Sequence, residues 1–441
     1  MRKLACILLI ALFAAPGLFG QVGTPVLIDS LDINGISRIF SIAQVGQTKY
    51  SVINSQRQST PYQHWVYSIE TNLTTGDIVG LVDSLRIKIS TWYFASNAVC
   101  QVIDTDYFVC TLSDTITEYG WAYSFDIDST DGTFGSVIDS CKFETQSVES
   151  STVISIGSGD YVLIANGDKE GTWNHWVRTV SVNTATGDLG SMSTDSLALL
   201  SADSEDILTK GLGQVNNSGY YWSVSMASRD VTLWTFTVNS STGAIGNAAT
   251  DVLEINHDYT DYIAADWLPT SDHLAVVYVR TNSTSDDATL DSIFVDTIPI
   301  DPADGSIGAI TSHAFIRLID HKTILTIFQT SVDSLIIISG RYSVADGAYL
   351  GFKQVLQVNA STGVIENSNL GVVGNNPRYS YDMEQLSATI FMDSQTISWI
   401  YTFSIGLSAP SEGWSNYVNG IVPGYMNGLI KANIASINGL E

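Results

Sequence analysis

Residues 72–76, 128–132, 183–187, 239–243, 301–305 and 359–363 spell one turn six times: Asn or Asp, two residues, Thr or Asp, then Gly. The steps from glycine to glycine are 56, 55, 56, 62 and 58 residues. A period of this size marks a repeat architecture, and strand-rich repeats point to a β-propeller. The turn has a local logic. Gly takes a positive φ without steric cost, and the Asn, Asp and Thr side chains accept hydrogen bonds from nearby amides.

Strands are expected on both sides of each turn. Ile69, Phe125, Val180, Phe236, Ile298 and Leu356 stand seven residues before the glycines. Trp65, Trp121, Trp176, Phe294 and Phe352 stand eleven before, with Thr232 the exception. Ile78, Phe134, Leu189, Ile245, Ile307 and Ile365 stand two after. Such even spacing places side chains on one face of a strand. Two further strands precede each pair, as in 98–103 with 107–112, 152–156 with 161–165 and 323–328 with 334–339. Four strands, a to d, then account for the period.

The ends of the repeat bear on the number of blades. Asp-Ser pairs at Asp83, Asp139 and Asp195, with Asp251 alone, mark the d strands. The same pair at Asp29-Ser30 sits in 26–33, which reads as a d strand with no blade before it. Segments 386–391, 396–400 and 401–405 read as a, b and c with no d after them. The expectation is an all-β, seven-bladed propeller over 24–406, its four-stranded antiparallel blades closed by the N-terminal strand joining the last blade. The polar d strands suit an outer edge that must resist pairing with other chains. A row of β-sandwiches is the rival, but a unit of about 55 residues is small for two sheets, where sandwich domains run to roughly 100.

The segments 181–190 (SVNTATGDLG), 236–246 (FTVNSSTGAIG) and 358–365 (VNASTGVI) resemble the lactonase-like and surface-layer (YVTN-type) seven-bladed propellers. The likeness runs over most of 24–406 as a blade pattern. It implies the fold, and it carries over no catalytic residue, because the motif lies on a structural hairpin. No Trp-Asp dipeptide and no Gly-Gly doublet occur, which disfavours the WD40 and kelch types.

Arg2 and Lys3, the apolar stretch 4–13 and the small residues up to Gly20 resemble a secretory signal over 1–20. The alternative is an N-terminal membrane anchor, for which the apolar run is short. No later segment is long enough to span a membrane. Export removes two of the 19 basic residues, leaving 17 against 45 acidic ones, a net charge of −28. That excess opposes nucleic acid and anionic membrane as partners. Cys100 and Cys110 are equidistant from Thr105, so a cross-hairpin disulfide and free buried thiols are both open.

Sequence motifs for known chemistries are absent: no HExxH, GxSxG, P-loop, GxGxxG or CxxC occurs. A propeller can still assemble a site from one residue per blade, usually on the face of the d–a and b–c loops. The b–c loops hold Arg57, Tyr62, His64, Lys169, Trp173, His175, Arg229, Arg280, Arg341 and Tyr342. A basic cluster there would suit a carboxylated or sulfated ligand. Tyr62, Trp92, Trp173 and Tyr342 could stack on sugar rings; rim packing and solvated loops are the plain alternatives. His64-Trp65 and His175-Trp176 occupy equivalent positions, with each Trp expected in the core and each His toward the rim. Glu149, Asp206, Asp261 and Asp382 start inner strands and could converge on Ca²⁺ in the central channel, or simply be solvated acids.

Residues 407–441 leave the blade pattern and carry three Asn-Gly pairs, as does Asn34-Gly35 near the start. This appendage could pair with another chain or pack back on the propeller. The expected function is that of a secreted, non-catalytic propeller that binds an extracellular glycan or protein, or serves as a surface component. The alternative is a lactonase-like or glycan-hydrolysing enzyme at the mouth of the channel, which requires convergent His and acid residues there, such as His64 and His175 with Asp168 or Asp261.

Overall fold

A computed structural model describes residues 21–57, 61–90, 98–113, 119–145, 148–157, 159–168, 174–190, 195–201, 208–227, 230–256, 260–268, 271–280, 291–319, 326–329, 335–343, 349–359, 361–375, 380–386, 390–395 and 399–408. Residues 25–404 form one compact unit. The second unit comprises 1–24 and 405–441, of which 21–24 and 405–408 are described as strand. Of the expected appendage 407–441, residues 407–408 belong to the last strand and 409–441 lie outside the described residues, as does the signal-like segment 1–20. No described helix is long and apolar enough to cross a membrane.

The chain folds as an all-β propeller of four-stranded antiparallel blades. After β1 (Gln21–Asp32), the first blade holds β2 (Ile36–Gln44), β3 (Tyr50–Arg57), β4 (Tyr62–Thr71) and β5 (Ile78–Ser90). The second holds β6 (Val99–Gln101), β7 (Tyr107–Ser113), β8 (Gly120–Ile127) and β9 (Phe134–Glu144). The third holds β10 (Val148–Ile156), β11 (Tyr161–Asp168), β12 (Asn174–Ser181) and β13 (Asp195–Ser201). The fourth holds β14 (Leu208–Gln214), β15 (Tyr220–Ala227), β16 (Asp230–Thr237) and β17 (Asp251–Asn256). The fifth holds β18 (Thr260–Leu268), β19 (His273–Arg280), β20 (Asp291–Pro299) and β21 (Ser312–Ile319). The sixth holds β22 (Thr326–Gln329), β23 (Leu335–Ser343), β24 (Tyr349–Val358) and β25 (Ile365–Asn375). A composite sheet joins β26 (Ser380–Gln385), β27 (Ile390–Gln395) and β28 (Trp399–Ser408) to β1, in the order β1-β28-β27-β26.

The repeated turn joins c to d, as the pattern requires. Asn72 shows its mechanism: the side-chain oxygen accepts the amides of Thr74 and Thr75, and its carbonyl accepts the amide of Gly76 at 2.7 Å. Gly76 has φ +82°. A second turn motif, absent from the reading above, joins a to b. Gln44, Gln101 and Gln214 each donate a side-chain amide to a carbonyl four residues on, at Thr48, Thr105 and Ser218. The amides of Tyr50, Tyr107 and Tyr220 then donate to the side-chain hydroxyls of the same three residues. The signal in the sequence is Gln-Val-x-x-Thr/Ser-x-Tyr.

The core lies between blades. Tyr50, Val52 and Val66 of the first blade pack with Phe108, Leu112 and Phe125 of the second, and similar clusters fill the following seams. Ile39 and Ile69 pack with Leu386, Ile390 and Ile400. The innermost strands β2, β6, β10, β14, β18, β22 and β26 touch in succession, and β26 touches β2.

The seams are also tied by side chains. Asp83, Asp139, Asp195 and Asp251 each cap the next amide with Oδ1 and accept an amide of the following blade with Oδ2: Phe134, Leu189, Ile245 and Ile307. Asp29 does the same for Ser30 and Ile78. Edge protection was the expected role of this signature; its carboxylates staple neighbouring blades.

One open alternative is decided and one expectation is corrected. Cys100 pairs with Val109 and Cys110 with Val99, so a one-residue offset sends the two thiols to opposite faces and both are free. The last a, b and c strands begin earlier in the chain than the segments 386–391, 396–400 and 401–405 suggested: they run over Ser380–Gln385, Ile390–Gln395 and Trp399–Ser408.

Candidate functional site

Strand direction separates two ends of the propeller. One carries the d–a and b–c loops, and the other the short a–b and c–d turns. At the loop end, Arg57 closes β3 and lays its guanidinium 5.1 Å from the Trp65 ring. Tyr62 and Arg280 are half-buried at the start of β4 and the end of β19. Arg341 and Tyr342 lie in β23, and Glu149, Asp261 and Asp382 in the inner strands β10, β18 and β26, with side chains outside the described residues. Trp92, Lys169, Trp173, Asp206 and Arg229 lie outside the described residues altogether. Among the described residues no group of three His, Cys, Asp or Glu could hold a metal ion.

The histidines overturn the expected rim. His64 and His175 are fully buried, while Trp65 and Trp176 are half-buried. His175 sits 12 residues before its glycine, on the face turned to the following blade. Its Nε2 lies 2.9 Å from Ser223 Oγ, and its ring stacks on Trp234 at 5.1 Å. Burial pushes its imidazole down to about 3. Burial, with Lys88 a lesser cause, does the same to His64, again to about 3. These are neutral packing groups enclosed between blades, and neither offers a ring nitrogen to the channel mouth.

Basic side chains serve the same seams. Lys88 reaches over Trp121 at 5.0 Å, Lys353 over Phe403 at 4.9 Å, and Arg178 over Trp176 at 4.6 Å. Arg178 also pairs with Glu144 of the preceding blade, both nearly enclosed. Of the expected basic loop cluster, Arg57 lies on an aromatic face and Arg280 is half-buried, while Lys169, Arg229 and the Arg341 side chain lie outside the described residues. Arg57, Lys88, Arg178 and Lys353 sit on aromatic faces, where desolvation strengthens the attraction.

Among the described residues, an open concavity lies at the opposite end. A groove of about 540 Å³ runs between the second and third blades, lined by Asp104, Asp106, Asp126 and Asp128 with Tyr107 and Thr184. A neighbouring hollow of about 380 Å³ shares Asp104, Thr105, Asp106 and Ser129 with it and continues to Gly46 and Thr48. The side-chain hydroxyl and then the amide of Thr130 hold Asp128 below the usual carboxylate range. Asp104 has φ +56°, which Asp tolerates better than most residues. Among the described residues of the a–b and c–d turns, Lys49 is the only lysine or arginine, and Glu70 takes it at 2.5 Å. The groove is thus polar, exposed and anionic. The 126–132 segment reads as a hairpin turn in the sequence, and it is one; that it lines a groove depends on the blade beside it.

No protein-family model matches the chain, and no curated protein matches it. Solved structures do. A protein from Lactobacillus plantarum is similar with a TM-score of 0.50 and 11% identity, covering 77% of this chain and 86% of that one. The Cps50 (Swd1) β-propeller domain of Myceliophteria thermophila is similar with a TM-score of 0.48 and 8% identity, covering 87% and 100%. The Dos1 propeller follows at 0.45 and 9%, covering 88% and 96%. At these identities the likeness concerns the fold alone.

Proposed function

We propose that this chain is a secreted, seven-bladed, non-catalytic propeller that binds an extracellular protein with a basic surface through its turn end. The observation that carries the reading is the anionic groove of Asp104, Asp106, Asp126 and Asp128. An acidic face attracts a basic partner and speeds encounter. The composite sheet supports the count of seven, with β1 as the outer strand of the last blade. The signal-like segment supports export. The blade pattern keeps its resemblance to lactonase-like and surface-layer propellers as a reading of the sequence. The example pair offered for the enzyme alternative does not support it, because His64 and His175 are both buried.

The test is cross-linking at the surface of the producing cells, comparing wild type with Asp104→Asn/Asp106→Asn. Neither carboxylate caps a turn among the described contacts, so the fold should persist. A basic protein captured by the wild type and lost with the variant is expected. Equal capture by both would sink the turn-end reading. N-terminal sequencing of the exported chain should begin near residue 21.

A further inference from the structure

The fifth blade departs from the repeat at two facing positions at once. Nine residues before the turn glycine stand Tyr67, Tyr123, Arg178, Trp234, Asp296 and Gln354. Opposite the first three, on the outer strands, stand Ser84, Ser140 and Ser196, the serines of the Asp-Ser pairs. Opposite Asp296 stands His313. Ser312 takes over the place of the stapling aspartate, and its Oγ accepts the Ile365 amide at 3.4 Å. Blade architecture asks for none of this, since the other blades manage without a carboxylate here.

The pair is tightly built. The Asp296 side chain is 1% exposed, and His313 is 55% exposed. Nδ1 of His313 lies 2.6 Å from Oδ1 of Asp296, and Tyr278 donates its hydroxyl to Oδ2 at 3.2 Å. The imidazole stacks on Phe294 at 5.0 Å. Among the described side chains the surroundings hold little other charge. On β19, Arg280 acts on Tyr278. The preceding blade's β17 contributes Leu253 and Ile255 to the apolar cluster of Tyr278 and Phe294. Of the acids on β17, Asp251 is engaged by the Val252 and Ile307 amides, and Glu254 is exposed.

We propose that Asp296 and His313 form a pH-responsive latch holding the outer strand β21 on β20. With His313 protonated, the buried carboxylate has its counter-charge. When the imidazole loses its proton, a carboxylate closed off from water keeps only hydrogen bonds. Removing the counter-charge of a buried carboxylate is destabilising. Opening of β21 lets water reach Asp296 and relieves that cost, so opening becomes more frequent as pH rises. Burial raises Asp296 above the usual carboxylate range, with His313 the chief opposing influence, in keeping with a site that depends on its imidazole.

Hydrogen exchange of the full chain tests this at pH 5.5 and 8.5, either side of the range in which imidazoles ordinarily titrate. Exchange is corrected for its intrinsic pH dependence, and β9, with its Asp139-Ser140 pair, is the internal reference. The opening of β21 relative to β9 should rise about tenfold, as a charge-assisted hydrogen bond gives way to a neutral one of roughly half the strength. Asp296→Asn should abolish the rise. His313→Gln cannot be protonated, and should give a β21 already loose at pH 5.5 and insensitive to pH. Parallel behaviour of β21 and β9 in the wild type overturns the latch, as does a wild-type rise that survives in either variant.

Discussion

Asp29 accepts the backbone amide of Ile78 at 2.9 Å, across 49 residues of sequence. The bond repeats the staple that Asp139 makes to Leu189 at 3.0 Å. The same seam has Thr402 donating to the carbonyl of Gly76 at 2.6 Å and Gln44 to that of Leu386 at 3.2 Å. β1 therefore staples the first blade as the d strands of the first four blades staple the blades after them. Asp29→Ala and Asp139→Ala should each cost about 1–3 kcal/mol, since each leaves a part-buried amide without its charged acceptor. Denaturant titration checks this. A negligible effect at Asp29 alone would show that β1 does not share the load of an outer strand.

Eight residues before the turn glycines, Thr179, Thr235 and Thr297 donate to the glycine carbonyl of the next blade at 2.6–2.7 Å. The equivalent residues Ser68 and Ser124 are buried with hydroxyls that find no partner. Threonine's β-branch favours a single rotamer in a strand. Ser124→Thr should therefore gain about 0.5–1.5 kcal/mol from a completed hydrogen bond. Thermal unfolding would show a higher Tm; a lower one would mean that the added methyl meets a seam with no room for it.

Two glycines separate backbone strain from packing. Gly132 has φ +78°, and a Cβ there would come 2.5 Å from Tyr50 Cδ1 in the neighbouring blade. Gly46 has φ +54° and open space around it. Gly46→Ala should cost about 1 kcal/mol, the backbone contribution alone. Gly132→Ala should cost about 1–3 kcal/mol more, through overpacking. Equal losses in urea titrations would contradict the close approach.

His64 and His175 govern the acid limb of stability. Each is neutral in the fold, with an imidazole pushed down to about 3 by burial. In the unfolded chain each protonates near the ordinary value of about 6.5, so the unfolded state binds more protons below that pH. Stability is then complete above pH 6.5 and falls as pH drops toward 3. By pH 4.5 the loss should reach about 2–3 kcal/mol per histidine, from 1.36 kcal/mol per pH unit. His175→Phe keeps a ring against Trp234 and should flatten the decline. An unchanged slope of Tm against pH in that variant would refute the assignment.

The cysteines should behave as inert thiols. Burial pushes Cys100 up to about 12; burial, with Asp139 adding, pushes Cys141 up to about 12; burial also raises Cys110. A thiol reagent at pH 8 should label none of the three in the native protein and all three after unfolding without reductant. Recovery of a peptide pair linked through Cys100 and Cys110 would contradict the strand register.

How much of this was legible in the sequence follows from range. The c–d turn is a local object: Asn72, Thr75 and Gly76 make its bonds within six residues, so six copies in the chain announce six hairpins. The a–b turn is equally local in Gln101, Thr105 and Tyr107, and its Gln-Val-x-x-Thr/Ser-x-Tyr signal was there to be read. Alternation along strand c correctly placed Phe125 and Leu356 in the core.

What the local pattern did not contain was the neighbour. A strand in a propeller meets a different blade on each face, and period two cannot say which face is deeper. So His64 and His175 went inside while Trp65 and Trp176 stayed half-exposed, because the space behind each histidine is set by the next blade. The Asp-Ser pairs suggested an outer edge, yet their carboxylates find amides about 50 residues away. The groove of Asp104 and Asp128 exists only once two turns stand side by side. The sequence by itself determined the repeat, its turns and its strands, since these depend on nearest neighbours along the chain. Tertiary structure alone decided which polar groups are buried, stapled or left open, since that depends on which blade closes each seam.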